Sequence, residues 1–160
     1  MPKTWLNVPH RTQSKEAGCL PACAEMILAS FGHLIDQEYL ARLLGTSWLG
    51  TPSSNIKRLI SLGYAVTYGE ASLEEVATYL KQEIPVITFV RTGDLPYWQT
   101  DTAHAVVVVG IDQCQVYVND PYIAEAPQSI PKPAFLLAWA RQDYTFAAIR
   151  PVSPHTENKE

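Results

Sequence analysis

The separation of helical from strand patterns along the chain most constrains its fold. In the first half, apolar residues recur at helical spacing in segments 19–32, 36–45, 53–63 and 72–83. A short strand is predicted at 64–69. Beyond Pro85, β-branched and aromatic residues predict strands at 85–91, 104–112, 115–120 and 144–151, with one helix at 134–142. Segregation of this kind predicts an α+β fold, with an N-terminal helical half packed on an antiparallel sheet.

The ends of the predicted helices are marked by specific residues. Pro21 is tolerated only in a first turn, so the first helix should begin near Cys19. Gly32 is a natural C-terminal stop. Caps are predicted elsewhere at Asp36, at Ser53 or Ser54, at Gly63, and in a capping box formed by Ser72 and Glu75.

Composition limits the class of protein. A chain of 160 residues with 47% hydrophobic and 18% charged residues suits one domain, predicted at 1–150 with a flexible tail at 151–160. The net charge of −4 argues against nucleic-acid binding. No run approaches the length of a membrane span, and the N-terminus lacks the apolar core of a signal peptide. Three cysteines cannot form a complete disulfide framework, so a reducing cytoplasm is predicted.

Cys19 is the candidate nucleophile. A thiol at a helix N-terminus faces unpaired N–H groups and the positive end of the helix dipole, which favour the thiolate. The preceding Gly18 is small, so a substrate backbone could approach. Cys23 lies one turn further in, on the apolar side. The alternative is that both cysteines are small core residues.

Gln13 lies six positions before Cys19 in a polar segment. Its amide could fold back beside the helix start. Together with the backbone N–H of Cys19, it would then supply two donors for a developing oxyanion. A solvated loop glutamine is the alternative.

His104 is the candidate base because it opens the most apolar strand directly after a polar loop. It needs a hydrogen-bond acceptor on its second ring nitrogen. The strands at 104–112 and 115–120 are predicted to form a hairpin, which would bring Asp120 back alongside His104. Asn119 could serve as well, and Asp120 could instead simply begin a turn at Pro121.

The sequence resembles the papain-like bacteriocin-processing peptidases, the double-glycine leader peptidase family. The segment QSKEAGCLPACAEMILASFG is similar to the family pattern Q-x-x-x-x-D-C-G-x-A-C-x-A-M-I-x-x-x-x-G, and HAVVVVGIDQCQVYVNDPY is similar to its second block, H-[FY]-V-V-[VL]-x-G followed by a strand and D-P. The resemblance covers about residues 5–150. It implies a stand-alone peptidase domain of papain-like fold, acting on a peptide or protein through an acyl-enzyme thioester without a cofactor.

Residue by residue, the resemblance implies Cys19 as nucleophile, His104 as base, Asp120 as orienting residue and Gln13 as oxyanion donor. Two positions depart from the pattern. Leu20 stands where the family has glycine and is expected to narrow the cleft, and Ala105 stands where the family has an aromatic residue. Double-glycine specificity therefore does not follow from the resemblance.

Three aromatic residues are candidates for substrate binding. Tyr97 and Trp98 lie in the loop before His104 and could form one wall of the cleft. Trp48 could form the other. Aromatic residues at the edge of a core are the alternative for each.

Other functions remain open at this level. The same residues could support amide hydrolysis, deamidation or acyl transfer, which differ only in the second nucleophile. A peptide-binding domain without catalysis is a further alternative. A metal site is not predicted, because the spacing of Cys19, Cys23, His10 and Cys114 lacks the close pairs typical of zinc sites. The oligomeric state is not predicted.

Overall fold

The structure is a computed structural model and describes residues 5–152. Four α-helices are present: α1 Cys19–Ser30, α2 Gln37–Leu44, α3 Leu73–Lys81 and α4 Lys132–Ala140. Six strands are present: β1 Tyr64–Glu70, β2 Val86–Arg91, β3 Ala103–Ile111, β4 Gln115–Asn119, β5 Gln128–Pro131 and β6 Thr145–Pro151. Two 3-10 helices span Ser53–Leu62 and Thr92–Asp94.

The predicted helix ends agree well with the structure for α1 and α3. Helix α1 begins at Cys19, and Gly32 follows its end with a φ of 86°, a conformation that glycine adopts without strain. Ser72 accepts from the backbone of Glu75, whose side chain accepts in return from the Ser72 N–H. This is the predicted capping box.

Three local predictions need correction. The segment Ser53–Leu62 is a 3-10 helix with Pro52 at its N-cap, so neither Ser53 nor Ser54 caps it. Asp36 is the N-cap of α2 but makes no side-chain capping bond. Strand β5 was not predicted, because it is short and ends in proline, which is confined to strand ends and sheet edges.

All strand pairs in the sheet are antiparallel, in the order β1-β6-β2-β3-β4-β5. The first strand pairs with the last, and β3 and β4 form the predicted hairpin, closed by the bond from Asp112 N–H to the Gln115 carbonyl. The α+β prediction is confirmed.

Helices cover both faces of the sheet: α1 and α2 pack on one face, and α3, from the same N-terminal half, packs with α4 on the other. The core around α1 and α2 includes Phe89, Ala105 and Val107 from one face of the sheet. The core around α3 and α4 includes Val106 and Val108 from the other. Strand β3 is buried from His104 to Gly110, because a continuous apolar run needs cover on both sides.

The segment before α1 ties the helices to the sheet. Leu6 donates its N–H to the carbonyl of Val109, where the register of β3 against β4 shifts. At the other end, β6 includes Pro151, and Val152 donates to the Gly63 carbonyl. Pro151 of the predicted tail therefore belongs to the sheet, Val152 is bonded to it through Gly63, and residues 153–160 lie outside the described residues. Within 5–152, no helix has the length and apolarity needed to cross a membrane.

Candidate active site

Cys19 is the first residue of α1, at the meeting point of helix and sheet. The first intrahelical bond runs from the Ala22 N–H to the Gly18 carbonyl, so the N–H groups of Cys19 and Leu20 are not used by the helix. Pro21 has no N–H to leave unpaired. Cys19 is partly exposed, and its position at the start of α1 puts it at the positive end of the helix dipole.

Cys23 has the opposite environment. It is fully buried in the core below α1. Burial, followed by the nearby Cys19 and Asp120, raises the pKa of its thiol well above the ordinary value. A buried neutral thiol is a packing residue, so the structure separates the two cysteines as predicted.

His104 and Asp120 are brought together by the β3–β4 hairpin. His104 lies near the start of β3, and Asp120 directly follows β4. The ring Nε2 is 2.7 Å from the carboxylate Oδ1. Both side chains are almost completely buried, with 5% and 0% exposed. With Nε2 used by Asp120, Nδ1 is the ring nitrogen left for a reacting group.

Asp120 accepts three further hydrogen bonds. The Tyr97 hydroxyl and the Trp98 indole N–H donate to its Oδ2, at 2.8 and 2.9 Å. The Tyr122 backbone N–H donates to its Oδ1, at 2.9 Å. A fully buried carboxylate requires such compensation. The two donors on Oδ2 also fix the rotation of the carboxylate, which keeps Oδ1 on His104.

The loop that carries Tyr97 and Trp98 is held by its own polar contacts. Thr92 and Thr102 close it, since Thr92 N–H donates to the Thr102 carbonyl and Thr102 N–H donates to the Thr92 hydroxyl. Asp101 accepts from Arg91 and from the backbone of Gly93. A Cβ at Gly93 would lie 2.9 Å from that carboxylate, so a larger residue there would displace the Asp101 side chain.

The electrostatics of the pair favour a charged imidazole. Burial opposes protonation of His104, but its hydrogen bond with Asp120 and its interaction with Cys19 prevail and raise its pKa to about 9. Burial likewise opposes ionisation of Asp120, but the hydrogen bond and charge of His104 prevail and hold the pKa of that carboxyl below the ordinary value. Burial and Asp120 strongly raise the pKa of Tyr97, so its hydroxyl remains a donor.

Gln13 lies in the same cleft as Cys19 and His104. Its backbone N–H donates to the Pro121 carbonyl at 2.7 Å, directly beside Asp120. Its side-chain Nε2 donates to the carbonyls of Lys15 and Glu16, and its Oε1 is buried without a partner within the described part of the chain. Both amide hydrogens are thus engaged within the loop in this state.

Two cavities flank Cys19 and His104. The larger, about 400 Å³, is bordered by Gln13, Trp98 and Tyr122. The smaller, about 240 Å³, lies over Leu20, Phe89 and Ala105. Leu49 and Gly50 border both cavities. These two residues belong to the turn Ser47–Gly50, whose ends form an isolated bridge.

The predicted aromatic walls have different surroundings. Trp48 borders the larger cavity and is 86% exposed. Trp98 borders the same cavity, stacks on Tyr122 and meets the His104 ring edge to face. Tyr97 instead packs with the core under α4 and points its hydroxyl at Asp120. Contact with substrate stays a prediction for all three.

Gly18 and Leu20 each have a packing role that the sequence did not suggest. Gly18 is buried, and a Cβ there would lie 3.3 Å from the Lys15 carbonyl oxygen. Its role in substrate binding stays a prediction. Leu20 is only 2% exposed and belongs to the core below α1. Its side chain forms part of the floor of the smaller cavity and does not project into the cleft to narrow it, as was expected.

Sequence reasoning missed two contributors to the site. The Tyr122 ring and the Leu49 side chain both border the cleft. A signal for Leu49 was available, because two consecutive large apolar residues in a polar turn are unusual; Leu49 is 78% exposed. No local pattern marked Tyr122, whose position depends on the return of β4.

The remaining histidines are used elsewhere or lie outside the described residues. His10 Nε2 contacts the Asp120 carbonyl at 3.0 Å, and His33 Nδ1 contacts the Tyr64 hydroxyl. His155 lies outside the described range. Residues 5–152 contain no group of three or more His, Cys, Asp or Glu side chains that could hold a metal.

Comparison with known proteins identifies the family. A model of the Peptidase_C39 like family matches residues 5–146, which is most of the chain. The chain belongs to this family. A search of curated protein sequences gives no match.

Solved structures of the Peptidase_C39 type share the fold. A C39-like peptidase from Bacillus anthracis superposes with a TM-score of 0.78 at 20% identity, over 95% of this chain and 100% of that one. The peptidase domain of Streptococcus ComA, a bi-functional ABC transporter involved in quorum sensing, superposes with a TM-score of 0.75 at 20% identity. The match covers 91% of this chain and 99% of that one. A double glycine motif protease from an AMS/PCAT transporter, in complex with the leader peptide, gives 0.73 at 19% identity, over 94% and 96%.

Proposed function

We propose that this chain is a cysteine peptidase that hydrolyses peptide bonds through an acyl-enzyme thioester. The proposal rests chiefly on the buried His104–Asp120 pair, whose Nε2 and Oδ1 atoms are 2.7 Å apart. Cys19, the first residue of α1, borders the same cleft as His104. Membership of a peptidase family supports it. A peptide ligand is supported by the related double-glycine protease, which was solved with its leader peptide.

In the proposed reaction, the Cys19 thiolate attacks the carbonyl carbon of the substrate and forms a C–S bond. Protonated His104 gives the proton on Nδ1 to the leaving amine as the C–N bond breaks. Water then attacks the thioester, its proton returns to Nδ1 of His104, and the thiolate leaves. Asp120 stabilises the imidazolium and fixes the ring throughout, in the role of the third member of a triad.

Gln13 is proposed to stabilise the oxyanion together with the Cys19 N–H. For this, one amide hydrogen must leave the Lys15 or Glu16 carbonyl when substrate binds. Gln13→Ala should then lower kcat by about 100-fold or more with little change in KM, since loss of one such donor has that effect. Steady-state kinetics on a cleaved peptide measure it. An unchanged kcat would show that Gln13 does not stabilise the oxyanion.

The first experiment is alkylation of the purified protein with iodoacetamide across pH, with the adduct located by mass spectrometry. Fast labelling of Cys19 at neutral pH, lost in His104→Ala and kept in Cys23→Ala, is the expected result. The exposed Cys114 supplies an internal reference for an ordinary thiol. Labelling of Cys19 no faster than Cys114 would contradict the proposal and favour a peptide-binding domain without catalysis.

A further inference from the structure

The smaller cavity beside Cys19 has a volume of about 240 Å³ and an apolar floor. Its floor is formed by Leu20 from α1, Phe89 from β2 and Ala105 from β3, all of which are almost fully buried. Cys19 and His104 border it directly. A group in this cavity would therefore lie next to the reacting sulfur.

Residue 105, which forms part of this floor, has a small side chain. Ala105 is paired with Phe89 across β2 and β3, so the two side chains are neighbours on one face of the sheet. The family pattern described above has Phe or Tyr at the position after the histidine. An aromatic side chain at 105 would extend from the floor into the volume that is open here.

The rim of the cavity is polar but uncharged, and its hydroxyls already have partners. Thr51 shares a hydrogen bond with Thr46, and Ser53 shares one with Tyr68. Thr145 donates to the Gln142 carbonyl.

Apart from the reacting pair Cys19 and His104, no charged side chain among the described residues borders the cavity. Because His104 is already paired with Asp120, a carboxylate or ammonium group entering the cavity would lose water without gaining a dedicated partner there.

We propose that this cavity binds an uncharged, largely apolar substrate side chain within two residues of the scissile bond. The inference rests on the proposed peptidase function and specifies its substrate class. A dry cavity of about 150 Å³ lined by aliphatic and aromatic residues is known to hold benzene. The space here thus suits a side chain of the size of leucine, methionine or phenylalanine, and glycine would leave it empty.

The size of the preference follows from apolar burial. Burying a side chain of this class contributes about 1.5–3 kcal/mol, and each ~1.4 kcal/mol is tenfold in affinity. A peptide with leucine at the position that enters the cavity should therefore have a kcat/KM about tenfold to about a hundredfold higher than the same peptide with glycine there.

The test is cleavage of a complex peptide mixture, with cut sites mapped by mass spectrometry and Cys19→Ala as the blank. The wild type should enrich aliphatic or aromatic residues at one position within two residues of the cut. Ala105→Phe should abolish that enrichment and favour glycine there. Ala105→Val should have an intermediate effect, and it carries the test if Ala105→Phe does not fold.

A matched control uses the same change at a remote cavity. Ala77 borders a space of similar volume, about 240 Å³, near Trp5 and Leu80. Ala77→Phe should leave the preference unchanged. Iodoacetamide labelling of Cys19 in each variant shows whether the site has assembled.

The outcomes separate the two proposals. If no peptide is cut in a Cys19-dependent manner, the proposed function fails and the inference fails with it. If peptides are cut but glycine is preferred throughout, or the apolar preference survives both substitutions at 105, the inference alone is overturned.

Discussion

Asp120 is fully buried, accepts four hydrogen bonds and carries a charge only because its neighbours are donors. The same carboxylate raises the pKa of His104 to about 9 from an ordinary 6.5. Since the folded-state value is the higher one, the stability gained from protonating His104 is complete below about pH 6.5. It is lost as the pH rises through about 9.

The raised pKa of His104 predicts where activity falls at alkaline pH. Rates of peptide cleavage should fall as pH rises through about 9, where His104 loses its proton. Asp120→Asn should move this alkaline fall in activity to a pH lower by at least about one unit. Hydrogen bonds to charged groups contribute about 1.5–3 kcal/mol, and one pKa unit corresponds to about 1.36 kcal/mol. Profiles of kcat/KM measure it. The exposed Asp143→Asn is the control, and equal profiles for both variants would refute the assignment.

Tyr97 is a positioning residue for the same carboxylate. Tyr97→Phe removes one donor on Oδ2 and keeps the ring, so Asp120 should hold His104 less firmly. We expect kcat to fall by about tenfold with KM little changed, as measured by steady-state kinetics. Tyr122→Phe is the matched control, since Tyr122 contributes its backbone N–H and its ring but not its hydroxyl. Similar losses in both variants would argue against a specific role for the Tyr97 hydroxyl.

At the scale of single elements, α3 is the helix most completely specified by local sequence. Ser72 and Glu75 satisfy each other's backbone donors. Ser72→Ala should cost about 1 kcal/mol and lower Tm by about 2–4 °C, because the capping bond is lost. Thermal unfolding followed by circular dichroism measures it. Ser54→Ala, in an exposed stretch of the 3-10 helix, should change Tm little; equal shifts would show that α3 does not depend on its cap.

Other elements show where local sequence is insufficient. The segment Ser53–Leu62 has helical periodicity, but its sequence did not reveal that the helix is of the tighter 3-10 type. Strand β5 has no strong strand pattern and forms because its backbone pairs with β4 at the edge of the sheet. In both cases, packing against the neighbouring element determines the conformation.

At the scale of the whole molecule, the segment 5–13 joins the two halves of the site. Asn119, which is 3% exposed, donates from its side chain to the Val8 carbonyl. His10 contacts the Asp120 carbonyl, and Gln13 donates to that of Pro121. The segment that leads into α1 is therefore fixed to the end of β4. These bonds hold Cys19 and Asp120 in a fixed position relative to each other.

Asn119→Ala should weaken this joint and the activity together. Loss of the bond leaves the Val8 carbonyl unpaired and should cost about 1–3 kcal/mol in free energy of unfolding, measured in urea. Alkylation of Cys19 should also slow. Asn55→Ala is the matched control, because Asn55 makes a similar bond to the Leu44 carbonyl within the helical layer. Asn55→Ala should lower the free energy of unfolding without slowing alkylation of Cys19. If Asn55→Ala slowed the alkylation and Asn119→Ala did not, segment 5–13 would have no role in assembling the site.

The sequence alone determined the starts of α1 and α3, the segregation of helices from strands and the candidate set Cys19, His104 and Asp120. These features depend on local signals: proline and glycine positions, periodicity, and a hairpin whose two strands are adjacent in the chain. The resemblance to a peptidase family rests on the same short segments.

Only the tertiary structure determined what surrounds that set. The donors Tyr97 and Trp98 reach Asp120 across more than twenty positions of sequence, and Leu20 is buried although its side chain was expected to narrow the cleft. The apolar cavity over Ala105 depends on side chains from α1, β2 and β3. Such contacts arise when the sheet folds over helix α1 and apolar area is buried between them, and no local periodicity encodes which distant side chains will meet there.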